Sequence, residues 1–165
     1  MALDCERLYY RQLAELETVS WCFKETLRLY PPVNAVARRN LREFEFMGHT
    51  IPANSMVVVP NLLIMRMDEY FSNPDQFDPG RFAPGREEHM AHSFCWSPFG
   101  GGAHKCIGLH FAEMLVKVTL FELLRTSDIE STRELVSTDG GFNYVPFPKP
   151  RNDLPLKVTR RQLPD

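Results

Sequence analysis

A cysteine follows a run of three glycines in the segment FGGGAHKCIG, residues 99–108. A thiol in such a place suits two chemistries, since a thiolate is both a metal ligand and a nucleophile. Cys106 stands just before a strongly periodic helix, whose N-terminal N–H groups and partial positive charge favour the thiolate. The glycines cost backbone entropy and let another group approach the chain closely. We therefore favour a ligand over a small buried cysteine in a capping turn.

Two other sites compete for the same segment. A phosphate-binding loop requires Gly-Lys-[Ser/Thr], whereas Lys105 is followed by cysteine, so this alternative is weak. A zinc module is the second alternative, because zinc takes Cys and His ligands in fours, although no Cys-x-x-Cys pair is present. The residues that it would draw on are His89, His92, Cys95, His104 and Cys106.

A second cluster is charged. Glu25 and Arg28 lie three residues apart in KETLRLYPP, among apolar residues of the same predicted helix. On a solvated face this spacing gives only a weak ion pair, whereas a buried pair needs further hydrogen-bond partners. Arg81, in FDPGRF, is the candidate third member.

The elements that position these residues follow from hydrophobic periodicity. Apolar residues recur every three or four positions up to Pro31 and predict a first helix, with a face made of Leu13, Leu16, Val19, Phe23, Leu27 and Tyr30. Phe44 and Phe46 alternate with glutamates and predict a short strand, and MVVV (56–59) predicts a buried strand after a turn. Residues 66–98 are rich in turn formers and aromatics, which predicts an ordered coil.

A second helix follows the glycine loop. Its predicted core face consists of Phe111, Met114, Leu115, Val118, Phe121 and Leu124, and a Glu113–Lys117 pair lies on the opposite face. A turn at Gly140-Gly141 and a short edge strand in PLKVTRR end the chain. The predicted class is α+β, mainly helical.

Composition limits the function further. The chain has 165 residues, which suits one domain, and a net charge of -2, which argues against a nucleic-acid partner. Four scattered cysteines do not make a disulfide scaffold. There is neither an apolar run long enough to span a membrane nor a signal-peptide pattern.

Three motifs resemble those of the cytochrome P-450 superfamily, in the family's order. FGGGAHKCIG is similar to the haem-binding signature Phe-x-x-Gly-x-[His/Arg]-x-Cys-x-Gly, and KETLRLYPP is similar to the Glu-x-x-Arg helix. FDPGRF resembles Phe-x-Pro-Glu-Arg-Phe, with Gly80 where glutamate is usual. The resemblance covers nearly the whole chain.

The resemblance implies the C-terminal part of that fold: the Glu-x-x-Arg helix, short β-hairpins, an aromatic meander coil, the cysteine loop, the following helix and a C-terminal β-hairpin. It implies haem b as the cofactor, with Cys106 as the iron ligand and no other catalytic residue. It assigns propionate contacts to His104 and Arg38 and a structural role to Glu25, Arg28 and Arg81. The implied haem-binding residues are Arg38, Phe99, Gly100, Gly102, His104, Cys106, Ile107 and Gly108.

The implied activity is a monooxygenase that inserts one atom of dioxygen into a small, lipophilic organic substrate. A ferredoxin or flavoprotein reductase is the expected redox partner, docking near Lys105. The family's [Ala/Gly]-Gly-x-[Asp/Glu]-Thr motif is absent, so we interpret residues 1–165 as a single partial domain, inactive alone. The location would be cytoplasmic for a soluble bacterial-type enzyme, or membrane-associated through an N-terminal part absent here. The alternative is a non-catalytic haem-binding or scaffold protein that keeps only the proximal half.

Overall fold

The computed structural model describes residues 8–131, 142–143, 149–150 and 156–162. Helix α1 spans Glu17–Leu29 and follows a 3₁₀ turn at Tyr10–Glu15. Helix α2 is one turn, Asn61–Ile64, and helix α3 spans Leu109–Thr126. The first helix is thus shorter than predicted, since Leu13 lies in the 3₁₀ turn. No helix of the described residues is long and apolar enough to cross a membrane.

The strands of the described residues form four two-stranded antiparallel sheets. Strands β1 (Val36–Arg39) and β4 (Met56–Val59) flank the hairpin of β2 (Phe44–Phe46) and β3 (His49–Ile51). The hairpin reverses at Met47 and Gly48, both at positive φ, as a two-residue turn requires. Strand β5 (Ser127–Ser131) pairs with β8 (Leu156–Arg160), and β6 (Phe142–Asn143) pairs with β7 (Lys149–Pro150). The predicted turn at Gly140-Gly141 lies outside the described residues.

The predicted burial of MVVV is wrong. Met56, Val58 and Val59 of β4 are exposed, because β4 pairs only with β1 and no described element covers the resulting sheet. A continuous apolar run predicts burial only if a second layer packs on it.

The core lies between α1 and the coil of residues 66–98, which is ordered as predicted. Its apolar members are Leu29, Met65, Phe71, Phe82 and Cys95. The fully buried side chains of α1 include Glu25 and Arg28, whereas Phe23 and Leu27 of its predicted apolar face are only half-buried. Charged residues therefore form the centre of this core.

Helix α3 also packs differently from the prediction. Phe111, Leu115, Val118 and Leu124 of its apolar face are exposed. The opposite face packs on the N-terminal part of the chain, where Lys117 Nζ donates to Leu13 O at 2.9 Å and Ser20 Oγ donates to Glu113 Oε1 at 2.7 Å. The Glu113–Lys117 pair is a packed contact because its hydrogen-bond partners come from the neighbouring segment.

Candidate functional site

The cysteine loop is closed by backbone hydrogen bonds before α3 begins. The N–H of Cys106 donates to Phe99 O at 2.8 Å, and the N–H of Lys105 donates to Gly102 O at 3.2 Å across a 3₁₀ turn, Gly102–His104. Gly108 is the N-cap of α3. The thiol is thus held between a closed loop and the first turn of a long helix.

Cys106 differs from the other described cysteines in its exposure. Cys106 is exposed, Cys22 is half-buried and Cys95 is buried. Burial raises the pKa of the Cys22 thiol, and Cys95 Sγ contacts His89 O at 3.3 Å. Among these three thiols, the one in the glycine loop is the accessible one, as a ligand must be.

Two different structural constraints require glycine in the loop, backbone conformation and steric space. Gly100 and Gly102 have φ of 70° and 62°, a region that side chains with a Cβ rarely adopt. Gly101 is in extended backbone, but a Cβ there would lie 2.5 Å from Phe94 Cε1. The space that a side chain at position 101 would need is therefore filled by the ring of Phe94 from the preceding coil. The sequence did not indicate this contact.

A cleft of about 280 Å³ lies beside the loop, lined by residues that include Phe94, Trp96, Gly101 and Lys105. Cys106 does not contribute to its lining. The cleft is therefore not the space that a group bound to the thiol would fill.

The outer surface beside Cys106 is apolar. Ile107 is fully exposed, and Phe111, Leu115 and Val118 continue the surface along α3. A flat apolar macrocycle with a metal centre matches this combination of one accessible cysteine sulfur, a soft ligand, and exposed aliphatic and aromatic side chains. The donor chemistry of the loop therefore fits an iron porphyrin.

Two cations predicted to contact the cofactor are exposed. Arg38 lies on β1 opposite Val57, and its Nη1 donates to Ala37 O at 2.8 Å. His104 lies at the end of the 3₁₀ turn in the loop. Neither has an ion-pair partner within the part of the chain that the structure describes, so both can meet a carboxylate.

The structure brings Glu25, Arg28 and Arg81 together, with all three side chains fully buried. Arg28 binds Glu25 through two hydrogen bonds of 2.7 and 2.9 Å, and Arg81 Nε donates to Glu25 Oε1 at 3.1 Å. The N–H of Asp78 donates to the same oxygen at 2.9 Å. One carboxylate thus receives four hydrogen bonds from the coil and the helix.

Backbone carbonyls accept further hydrogen bonds from the two arginines. Arg28 donates to Met65 O and Gln76 O, and Arg81 donates to Gln76 O and Ser72 O. Both guanidinium groups also lie over the ring of Phe71. A buried charge is tolerated when it is paired and hydrogen-bonded, and every nitrogen of both guanidinium groups has an acceptor here. It fastens α1 to the coil.

Glu88 is a further member that the sequence prediction missed, because it lies in a charged segment (86–88) that reads as surface. It binds Arg81 and Arg86 at 2.5 and 2.6 Å. Burial opposes ionisation of Glu88, but hydrogen bonds from Arg86, Ser72 and Arg81 outweigh it and lower its pKa to about 2. No sequence motif marks this residue.

Aromatic contacts connect this region to the cysteine loop. The ring of His89 lies 5.0 Å from Phe82 and 6.3 Å from Trp96, centroid to centroid. Trp96 in turn lies 6.4 Å from Phe99, which also contacts Phe23 of α1. Phe99 is half-buried beneath the loop that carries Cys106. The coil is therefore the support of the loop.

The zinc module considered from the sequence is not assembled. His89 is packed among aromatic rings, and Cys95 contacts backbone carbonyls. Within residues 8–131 and the short described segments after them, no group of three or more His, Cys, Asp or Glu side chains is placed to hold a metal ion.

The comparisons with known proteins agree with the motifs. The chain is 33% identical over 149 residues to "Putative cytochrome P450 136" of Mycobacterium tuberculosis, covering 90% of this chain and 30% of that protein. It is 36% identical over 127 residues to the sterol 14alpha-demethylase of Mycolicibacterium vanbaalenii (77% and 28% covered). It is 37% identical over 157 residues to the obtusifoliol 14-alpha demethylase of Sorghum bicolor (92% and 31% covered).

The fold gives the same answer. The structure matches the retinoic acid-bound cyanobacterial CYP120A1 with a TM-score of 0.83 and 26% identity, over 98% of this chain and 36% of that one. The chain thus spans about a third of the length of the proteins it matches. The family model for cytochrome P450, whose members bind haem b, matches residues 4–154. The chain therefore belongs to the cytochrome P450 family.

Proposed function

We propose that residues 1–165 form a partial domain, the haem-binding C-terminal part of a monooxygenase, with Cys106 as the axial ligand of haem iron. The observation that carries the proposal is the exposed thiol of Cys106 in a loop closed by its own N–H. When bound, a haem with a thiolate ligand supplies activation of dioxygen, with one oxygen atom passing to an organic substrate and the other to water.

The chain's own residues orient the cofactor and limit water. Gly108 borders the sulfur, since a Cβ there would lie 3.6 Å from Cys106 Sγ. Gly100 and Gly102 give the loop its turn, and Ile107 presents an apolar side chain to the macrocycle. His104 and Arg38 supply cations for the propionates. Phe99 packs beneath the loop and limits the access of water to the sulfur.

The substrate class and partner are part of the same proposal. A lipophilic organic substrate is supported by relatives named for the demethylation of sterols and of obtusifoliol. A ferredoxin or flavoprotein reductase would dock near the exposed Lys105. The family's [Ala/Gly]-Gly-x-[Asp/Glu]-Thr motif is absent from this sequence, and the apolar face of α3 is exposed. We therefore infer that turnover requires further polypeptide of the same fold over that face.

The test is a reconstitution with haem. The chain is titrated with hemin, reduced and exposed to carbon monoxide, and the Soret band is recorded. We expect the strong red shift typical of thiolate ligation, its loss in Cys106→Ser and its retention in Cys22→Ser, the matched control with a half-buried thiol. A red-shifted band in Cys106→Ser would show that the ligand is assigned wrongly. Substrate turnover by the chain alone would contradict the partial-domain proposal.

A further inference from the structure

Glu88 has an unusually complete set of partners for a residue outside every motif. Its carboxylate accepts hydrogen bonds from Arg81 Nη1 at 2.5 Å, Arg86 Nη2 at 2.6 Å, Ser72 Oγ at 2.8 Å and the Ser72 N–H at 3.1 Å. Its side chain is 15% exposed, whereas that of Arg86 is 42% exposed. The carboxylate thus lies between the buried cluster and the surface.

The charge balance of the buried cluster requires a second anion. Glu25 is a single carboxylate facing two guanidinium groups, and all three side chains are fully buried. Arg81 donates hydrogen bonds to both carboxylates, from Nε to Glu25 and from Nη1 to Glu88. Since an uncompensated buried charge is strongly destabilising, Glu88 supplies the missing negative charge.

The backbone before Glu88 is strained. Glu87 has φ 41° and ψ 40°, the left-handed region that glycine and asparagine favour. Such a strained backbone conformation is kept only where surrounding contacts stabilise it enough to offset the strain. Here the contacts of the next residue, Glu88, provide that constraint.

The turn that Glu88 begins, Glu88–Met90, leads to the cysteine loop. Cys95 Sγ lies 3.8 Å from Glu88 O and 3.3 Å from His89 O, and the His89 ring packs on Trp96. Trp96 lies beside Phe99, whose carbonyl accepts the N–H of Cys106. A continuous series of contacts therefore runs from the Glu88 turn to the backbone of Cys106.

We infer that Glu88 is a positioning residue for the cysteine loop. It holds the Glu88–Met90 turn on the buried guanidinium of Arg81 and so fixes the aromatic side chains on which Phe99 lies. That this positioning serves haem binding rests on the proposed function, in which Cys106 binds haem. The contacts between Glu88 and the cysteine loop do not depend on that proposal.

The first test measures amide hydrogen exchange by mass spectrometry on the full chain without haem. We expect Glu88→Gln to speed exchange in peptides covering residues 95–106 by about tenfold, the effect of losing one charged hydrogen bond. Glu122→Gln is the matched control, since Glu122 pairs with Arg125 at 2.8 Å and is 47% exposed. Unchanged exchange in 95–106 for Glu88→Gln would overturn the inference.

The second test uses pH, because loss of packing alone has no pH dependence in this range. The charged groups around Glu88 are Arg81 and Arg86, with Asp78 beyond Arg86, and Cys95 contacts its backbone. The pKa of Glu88 falls from 4.5 to about 2 on folding, so its contribution is complete above pH 4.5 and lost towards pH 2. The urea midpoints of wild type and Glu88→Gln should therefore differ at neutral pH, approach each other below pH 4.5 and converge towards pH 2. A constant difference would contradict the inference.

Ser72→Ala covers the case in which Glu88→Gln does not fold. It removes the 2.8 Å hydrogen bond that Ser72 Oγ donates to Glu88 and the 3.4 Å hydrogen bond that it accepts from Arg86 Nη2. It should speed exchange in 95–106 by about threefold. No change would overturn the inference. Because neither readout uses haem, failure of the hemin titration would refute the proposed function while leaving this inference intact, and the reverse also holds.

Discussion

Replacing Glu25 by glutamine tests whether the buried cluster dominates the stability of the fold. The substitution keeps the shape of the side chain and removes its charge, while Arg28 and Arg81 remain fully buried. An amide oxygen accepts more weakly than a carboxylate, and the amide NH₂ faces guanidinium donors. We therefore expect Arg28 to lose its carboxylate partner at the centre of the core, while Arg81 keeps only Glu88.

The magnitude follows from the four hydrogen bonds that Glu25 accepts, three of them from guanidinium groups. Removing one partner of a buried ion pair costs about 3–5 kcal/mol. A chain of this size loses about 2–4 °C of Tm per kcal/mol, so Tm should fall by about 10 °C.

The assay is urea and thermal unfolding followed by far-UV circular dichroism and by tryptophan fluorescence. Asp75→Asn is the matched control, because Asp75 binds Arg66 at 2.8 Å but is 81% exposed, and it should cost less than about 0.5 kcal/mol. Equal midpoints for Glu25→Gln and Asp75→Asn would refute the reasoning. In addition, Arg81→Met should be less harmful in the Glu25→Gln background than alone, since the ion pair of Arg81 with Glu25 is already lost there.

Two further substitutions probe the packing around the site. Burial, and to a lesser extent the charge of Lys24, lowers the pKa of His89 below 6.5. The unfolded chain therefore binds the proton more readily than the folded chain, and the free energy of unfolding falls as the pH drops below 6.5. His89→Phe should reduce this pH dependence in urea titrations. An unchanged slope would contradict this. Lys117→Met leaves Leu13 O without its 2.9 Å donor and should lower the free energy of unfolding by about 1–2 kcal/mol in thermal unfolding. Lys157→Met, at an exposed lysine, should lower it by less than about 0.5 kcal/mol. Equal losses of stability in the two variants would argue against a packed role for Lys117.

Much of the site was predictable because its residues are fixed by local chemistry. The glycines and Cys106 mark a tight loop at a helix start, and the spacing of Glu25 and Arg28 places both on one helix face. Identification of Arg81 relied on its motif, since 53 residues separate it from Arg28 and periodicity carries no long-range contact. These features led to the family that the comparisons show.

The remaining features depend on tertiary packing that no local pattern encodes. Glu88 lies in a charged run that is typical of a surface, and its partners are brought to it by the turn of the coil. The face of α3 that contacts α1 carries Glu113, although hydrophobic periodicity favours the opposite face. Periodicity identifies an apolar face, but it does not say which element of the fold covers it.

The buried cluster has a consequence for the order of events during synthesis. Its principal ionic groups, Glu25, Arg28, Arg81 and Glu88, all precede Cys106 in the chain. Because a nascent chain emerges from its N-terminal end, the ribosome releases the whole charge cluster before the loop that carries the thiol. The buried cluster can thus form first, and the cysteine loop is added to a surface that already has its shape.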